Sequence, residues 1–580
     1  MKNINDWQRI GVRKINDWQH YSLETLIDYV KQYDQRQESI DKIKAAYFFA
    51  NSKHRKPDGR PVLRDDNKTP YIMHPVTVAN FLAIMRVDID TICAGLLHDV
   101  IEDTPVTKEE IANKFGKNVA EIVEGVTKIS NLNEVDYNSL KLSMNEKNPE
   151  NLRMLNKKKI IDSLLYDPRI IIVKLADRLH NMLTIGYKTP AKQKQKAAET
   201  LELYVPLANK LGIYRIQQEL EDASLKCIES YIYNRLMIIR EKIKEECSPF
   251  LNSMLSEMVS DIDDNLKIIG HYDQSELDSR NRKELVNETI ILGDSASRTR
   301  IKHIYGIYDA LCKMKPKKCK QDTSSYIRDI LFNKDAFEGI HDLRVIKLIM
   351  KDEDSCYSLI RFLHKRYGNV QNRFKDYIYN PKYNMYKSLH TTVSHDGKYV
   401  QFQIRTLEQE YRDTYGLAWE LYKYEGENTR ERILEEFKKY PAYQKLIDVR
   451  DKGVSDLESY QDLIQKEILN TREITVINKT NGKNVSIRED ATIRDFAYLV
   501  GGPLGDHLVK ATLNDVVYEL EVKNGVVNKR KVPFDIRLHD GDEISVEFDE
   551  NIWCPKHNTD ISKKPKKTLK TLKLENKKVE

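Results

Sequence analysis

The sequence predicts a multidomain α+β protein: an all-α domain first, a mixed α/β domain next, and a small β-rich unit near the C-terminus. Three patterns carry this. From about residue 40 to 230, apolar residues recur at three-and-four spacing, the mark of helices with one buried stripe. After Ser297 a helical stretch gives way to strand-like FEGIHDLRVIKLIM and GKYVQFQIRT, separated by basic loops. From REITVINKTNGKNVSI to HDGDEISVEF, alternating apolar residues with GK and DG turns mark hairpins.

The bulk numbers fit that division. At 580 residues the chain has room for about three or four domains, each with its own core. Lys plus Arg number 95 against 89 acids, and a net charge of +6 is too mild to point to nucleic acid by itself. No apolar run approaches the ~18 residues of a membrane span, and the opening MKNINDWQRI lacks a signal-peptide core. Seven cysteines with no CxxC argue for a reducing compartment and against a disulfide framework. The expectation is a soluble, cytoplasmic protein without a membrane partner.

The helical part is organised around Asp88 to Pro105, DIDTICAGLLHDVIEDTP. Ile89, Ile92, Cys93, Leu96, Leu97, Val100 and Ile101 form a buried stripe, bordered by His98, Asp99, Glu102 and Asp103. Four-residue spacing sets His98 beside Glu102 and Asp99 beside Asp103. A lone His-Asp pair is usually a solvated helix edge. Two further stretches change that reading. PYIMHP places His74 beside a helix-starting proline, and the strongly apolar IIIVKLADRLHNML puts Asp177, His180 and Asn181 on one face. Together His74, His98, Asp99 and Asp177 make a two-His, two-Asp set suited to Mn, Fe or Zn.

The H…HD…D order, with VIEDT after the HD, GVTK at Gly125 to Lys128 and KLADRLHNM at Lys174 to Met182, resembles the RelA/SpoT-homolog family, which makes and degrades (p)ppGpp. The resemblance implies one Mn²⁺ on His74, His98, Asp99 and Asp177, with Glu102 and Asp103 activating water. It implies nucleotide contacts from Asn181 and Thr184, and from a basic residue of the loop before PYI. That loop, KHRKPDGRPVLRDDNKT, is longer than the family's RKSGEPYI. Arg64 fits by spacing to His74, whereas Arg55-Lys56 reproduces the dipeptide; Arg64 is preferred.

The segment from SRTRIKHIYGIYDALCKM through NRFKDYIYNPKYNMYKSLHTTV to GKYVQFQIRT resembles the family's synthetase, a nucleotidyltransferase-like domain that moves pyrophosphate from ATP to GTP or GDP. Triphosphates need several cations, an acid for Mg²⁺ and a flat ring to stack guanine. The match assigns charge to Arg300, Lys302, Lys375 and Lys382, the metal to Asp342, and stacking to Tyr386, with Asn384 and His390 completing it. Departures cluster here. The family's EIQIRT is QFQIRT, leaving neutral Gln401 where a glutamate helps hold magnesium and activates the 3′-hydroxyl; glutamine accepts no proton. Gly306, Lys347 and Met385 replace a serine, an arginine and a glycine. Weak or absent synthesis beside intact hydrolysis is expected. The alternatives are a fully bifunctional enzyme, and synthetase and C-terminal units that serve as a non-catalytic, nucleotide-sensing, ribosome-binding module.

The final β-rich unit, with DFAYLVGG, resembles the family's β-grasp-like TGS domain, which implies contact with the ribosome and uncharged tRNA. The histidine of the family's DFAYxIH is missing, His507 aligns poorly, and the chain stops short of the family's ACT region. The expected division is a helical extension at 1–39, hydrolase at 40–225, synthetase with leading linker at 226–424, helical connector at 425–471, TGS at 472–549 and a basic tail at 550–580. INDWQ occurs at Ile4 and again at Ile15, read as a local duplication extending the first helix. Cys554 and His557 lack a second pair and are not read as a metal knuckle.

Overall fold

The structure, a computed structural model, describes residues 15–130, 149–264, 299–447 and 473–552, the last two ranges with short gaps. The first INDWQ copy, most of the expected connector and the tail with Cys554 and His557 lie outside the described residues. The chain forms two compact units, Met1–Asn470 and Thr471–Glu580.

The first unit begins with a 3-10 helix, Ile15–His20. Helices α1 (Leu23–Lys31), α2 (Gln37–Lys53), α3 (Met73–Ile84), α4 (Ile89–Leu97), α5 (Val100–Asp103), α6 (Lys108–Phe115), α7 (Lys117–Ser130), α8 (Pro149–Tyr166) and α9 (Pro168–Leu183) follow. α3, α4 and α9 lie at the centre, buried nearly all round. The core starts earlier than the expected boundary at residue 40, because Tyr21, Leu26 and Val30 are buried in it. Thr25, from the capping box that starts α1, donates to Asn80 of α3 at 2.9 Å and fixes the two together. Gly125 of the GVTK stretch lets α7 close on α9: a Cβ there would lie 2.3 Å from Ile170 Cδ1.

The helix expected to run through the His-Asp pair is split. α4 ends at Leu97, Asp99 sits at φ −92° and ψ −8°, and α5 resumes at Val100. The His98 ring Nδ1 lies 2.8 Å from the Gly95 carbonyl, competing for the acceptor that a continuous helix gives to the Asp99 N–H. The break turns both side chains inward.

One buried cation ties the starts of α4 and α9. Asp88 caps α4 by accepting from Thr91 N, and Asp167 caps α9 by accepting from Arg169 N. The Arg169 guanidinium binds Asp167 at 2.7 Å and reaches Asp88 at 3.5 Å, with every member almost fully buried.

Helices α10 (Pro190–Glu199), α11 (Val205–Lys210), α12 (Tyr214–Ile228) and the long α13 (Ser230–Asp264) lead into a mixed sheet. Its strands are β1 (Thr299–Ile301), β2 (Arg344–Met350), β3 (Lys375–Asp376), β4 (Leu389–His395) and β5 (Lys398–Thr406), in the order β1-β2-β5-β4-β3. β2 and β5 run parallel and the other neighbours antiparallel. The register sets Lys375 opposite His390, His390 opposite Gln403, and Gln403 opposite Lys347, so one polar row crosses the sheet. The other face packs with α13 on a core containing Leu251, Met254, Ile346, Leu348 and Phe402. Where this sheet meets the helical domain, Gly416 has φ +57°, and a Cβ would fall 2.1 Å from the Leu211 carbonyl oxygen; only glycine fits.

The second unit is a five-stranded sheet of β6 (Glu473–Asn478), β7 (Lys483–Arg488), β8 (Leu508–Leu513), β9 (Val516–Glu519) and β12 (Glu543–Phe548), in the order β7-β6-β12-β8-β9, its first and last strands adjacent and parallel. The short pair β10 (Val522–Lys523) and β11 (Val526–Val527) stands apart. The helix Ile493–Gly501 buries Phe496 and Ala497 against Val476, Leu508 and Ile544. Among the described residues no helix is long and apolar enough to cross a membrane.

Changing Arg169 to Met leaves two buried carboxylates without their cation, and should lower stability by about 3–5 kcal/mol. Denaturant unfolding of the purified variant measures this.

Candidate functional site

Three helices deliver the expected ligand set to one place. His74 comes from the first turn of α3, His98 and Asp99 from the break after α4, and Asp177 from the middle of α9. His74 Nε2 lies 3.2 Å from Asp177 Oδ1, 3.5 Å from Asp99 Oδ2 and 3.2 Å from His98 Nε2. His98 Nε2 lies 3.2 Å from Asp99 Oδ1 and 3.8 Å from Asp177 Oδ1. His74, His98 and Asp99 offer atoms all within 4.8 Å of one another, as a metal ion requires.

The electrostatics match a divalent cation. Burial holds the His74 imidazole below its ordinary range. Burial works to raise both carboxyls, but the His98 and His74 rings hold Asp99 below its usual range, and Lys174 with His74 does the same for Asp177. Two ionised carboxylates therefore face imidazole nitrogens in a largely buried cluster, an arrangement that a shared dication stabilises.

Around this set the side chains divide into supports and rim. Tyr71 donates to Asp99 Oδ2 at 2.7 Å and interacts with Asp103 as well; burial and these two charges push its phenol far up, so it stays a donor. Lys174 pairs with the second oxygen of Asp177 at 2.9 Å. Asn181 donates to Asp177 Oδ1 at 2.5 Å. His180 Nδ1 meets His74 Nδ1 at 2.6 Å. The sequence reading gave no role to Tyr71, Lys174 or His180, although Lys174 lies one turn before Asp177 and Tyr71 stands in the PYIMHP motif. Glu102 and Asp103 lie on α5 and are exposed at the rim.

Arg64, Asn181 and Thr184 come together on one side of the centre. The loop before PYI folds into a small hairpin, with bridges Arg55–Pro61 and Leu63–Pro70. This carries Arg64 Nη2 to 3.4 Å from both Asn181 Oδ1 and Thr184 Oγ1. Arg55 is turned away and donates to the Gly59 carbonyl.

The second cluster lies on the polar face of the mixed sheet. Arg300, Lys302, Lys347, Lys375, Lys382 and Arg405 stand there against Asp342, Glu410 and Asp413. Burial, then Arg405, Lys382, Lys375 and Arg300, hold His390 well below its ordinary value, which reports an excess of positive charge. Such a surface suits polyphosphate. Several expected ligand-facing groups are already engaged. Asp342 is ion-paired to Lys302 at 2.5 Å. Gln401 accepts from the Gln403 amide at 2.8 Å.

Two residues expected to contact nucleotide have protein partners in this structure. Asn384 is buried and donates to the Asn209 carbonyl at 2.8 Å and to Tyr214 Oη at 2.9 Å, because its loop docks against α11 and α12. Tyr386, expected to stack guanine, is only 9% exposed. Lys382 and Arg405 lie over its ring, and its hydroxyl is held by Arg405 and His390.

A buried His-Asp cluster in a helical domain, followed by a basic face on a mixed sheet, sets two candidate sites in one unit. Comparison with known proteins agrees. Residues 46–214 match the family model described as HD domain, and residues 299–428 match the one described as region found in RelA / SpoT proteins. A guanosine-3′,5′-bis(diphosphate) 3′-pyrophosphohydrolase of Spiroplasma citri is 32% identical over 85% of this chain and 59% of its own. The bifunctional (p)ppGpp synthase/hydrolase SpoT of Escherichia coli is 33% identical over 86% of this chain and 62% of its own. A GTP pyrophosphokinase of Myxococcus xanthus is 33% identical over 86% and 57%. This chain belongs to the RelA/SpoT family, and spans about three-fifths of the length of these relatives.

Replacing Tyr71 by Phe removes the donor shared by Asp99 and Asp103 and should lower kcat about 10-fold. Steady-state kinetics measures the loss, with KM changed much less.

Proposed function

We propose that this chain is a manganese-dependent (p)ppGpp 3′-pyrophosphohydrolase, releasing GDP or GTP and pyrophosphate in the stringent response. The observation that carries the reading is the convergence of His74, His98, Asp99 and Asp177 beside the Arg64, Asn181 and Thr184 cluster. The four ligands would hold the ion, and mixed nitrogen and oxygen donors suit Mn²⁺. When bound, such an ion acidifies water and polarises a phosphoryl oxygen.

The chain's own residues do the rest. Arg64 offers its guanidinium, and Asn181 and Thr184 their polar atoms, to the nucleotide. Glu102 and Asp103 stand one turn beyond the ligands, placed to take a proton from the attacking water. The water oxygen joins the phosphorus nearest the ribose as the bond to O3′ breaks. The proton ends on the 3′-oxygen, leaving a 3′-hydroxyl and free pyrophosphate. Tyr71 keeps Asp99 aligned and Lys174 balances the far oxygen of Asp177.

The basic sheet face is proposed as a weakened synthetase for ATP and GTP or GDP, with Mg²⁺ its metal if active. Gln401 cannot accept the 3′-hydroxyl proton, and a loss of that kind costs about 10²- to 10⁴-fold. A bifunctional enzyme is the second reading; the basic groups and Asp342 on that face favour it. A nucleotide-sensing role for this face without catalysis is the third. The strand order of the second unit supports a β-grasp-like TGS domain, with ribosome and uncharged tRNA as proposed partners and the cytoplasm as its place.

Incubating the protein with ppGpp and Mn²⁺ should give GDP and pyrophosphate by nucleotide chromatography, while ATP, GDP and Mg²⁺ should give little product. No GDP from ppGpp would overturn the hydrolase reading. Rapid synthesis in the second mix would overturn the weakened synthetase. Gln401→Glu should raise synthesis at least about 10-fold.

A further inference from the structure

The second INDWQ copy does not extend the first helix; it forms the 3-10 helix Ile15–His20. Its Trp18 is half-buried, and the indole meets the His180 ring at a centroid distance of 5.2 Å and 81°. His180 is 3% exposed and lies almost parallel to His74, with ring centroids 4.9 Å apart. The contact between them is 2.6 Å, Nδ1 to Nδ1.

Hydrogen-bond complementarity fixes how that contact must work. His74 Nε2 faces Asp99, Asp177 and His98 and must offer a lone pair to bind metal. The His74 proton then sits on Nδ1 and points at His180. His180 Nδ1 must accept it, which puts the His180 proton on Nε2. Metal-bound histidines are ordinarily oriented by a carboxylate or carbonyl on their second nitrogen. Here a second imidazole takes that place, and the Trp18 indole packs against it nearly at right angles.

We propose that His180 and Trp18 are positioning residues for the metal ligand His74, so that the second INDWQ copy is a working part of the metal centre. This rests on the metal-centre reading above. The Trp18 indole limits rotation of the His180 ring, and the ring's acceptor nitrogen holds His74 in the tautomer and angle that ligation needs. The side chains of α9 thus serve the ion twice, once through Asp177 and once through His180.

The test is calorimetric titration of the metal-free full chain with Mn²⁺, with Co²⁺ absorption as a second readout and thermal melting of the metal-free form as a folding control. His180→Phe keeps the ring but removes the acceptor, and should weaken Mn²⁺ binding about 10- to 100-fold. His180→Asn restores an acceptor near Nδ1 and should recover most of that loss. Trp18→Ala should weaken binding about 2- to 10-fold, and Trp18→Phe much less. Should His180→Phe melt below room temperature, the ranking of Asn and Trp18 variants decides. Folded His180→Phe and Trp18→Ala proteins with Mn²⁺ affinity within about two-fold of the parent would overturn the inference while leaving the metal centre standing. A parent protein that takes up neither ion would overturn both.

Discussion

Two carboxylates and two imidazoles face one another in a largely buried cluster, and the helical domain is arranged around what that costs. Like charges in a low-dielectric site repel strongly, and so do facing nitrogen lone pairs. Lys174 and Asn181 relieve one oxygen each of Asp177, and Tyr71 relieves one of Asp99. The rest of the field converges on a single point, which a divalent ion would occupy. Helix positions follow from this. α4 breaks where the ligands must turn inward, and α4 and α9 are pinned at their far ends by Arg169 between two capping aspartates.

The two sites of the first unit share a wall. α12 packs against α9, which carries Asp177, and its Tyr214 holds Asn384 from the loop beside Tyr386. Farther along, Glu221 meets His303 at 2.9 Å and Asp222 accepts from Tyr305 N at the start of the helix Ile304–Lys313. In this arrangement the Tyr386 ring is covered and His74, His98, Asp99 and Asp177 stand together. Gly306 contributes: a Cβ there would lie 2.7 Å from His303 Cε1, so the family's serine would crowd the histidine that reaches Glu221.

Much of this was legible from residue types and spacing. The apolar stripe of α4, the inward acid of α9 and the helix-starting proline after His74 signalled where the centre would form, because burying ionisable groups beside an apolar stripe demands a partner. The polar row across the sheet follows from period-two alternation once the register is known. What the sequence did not show depends on contacts far apart in the chain. Trp18 on His180 and Asn384 on Tyr214 join positions with no local pattern between them. The break at His98 was hidden because its residues all suit a helix; the ring's competition for the Gly95 carbonyl is a local hydrogen-bond effect without a sequence mark.

On the proposed function, one divalent ion sits between α3, the α4–α5 break and α9. The most direct measurement is an anomalous difference map from crystals grown with Mn²⁺. One peak within bonding distance of His74 Nε2, His98 Nε2, Asp99 and Asp177 is the predicted result. A fully occupied Mn²⁺ elsewhere, with these four side chains bonded only to one another, would contradict it.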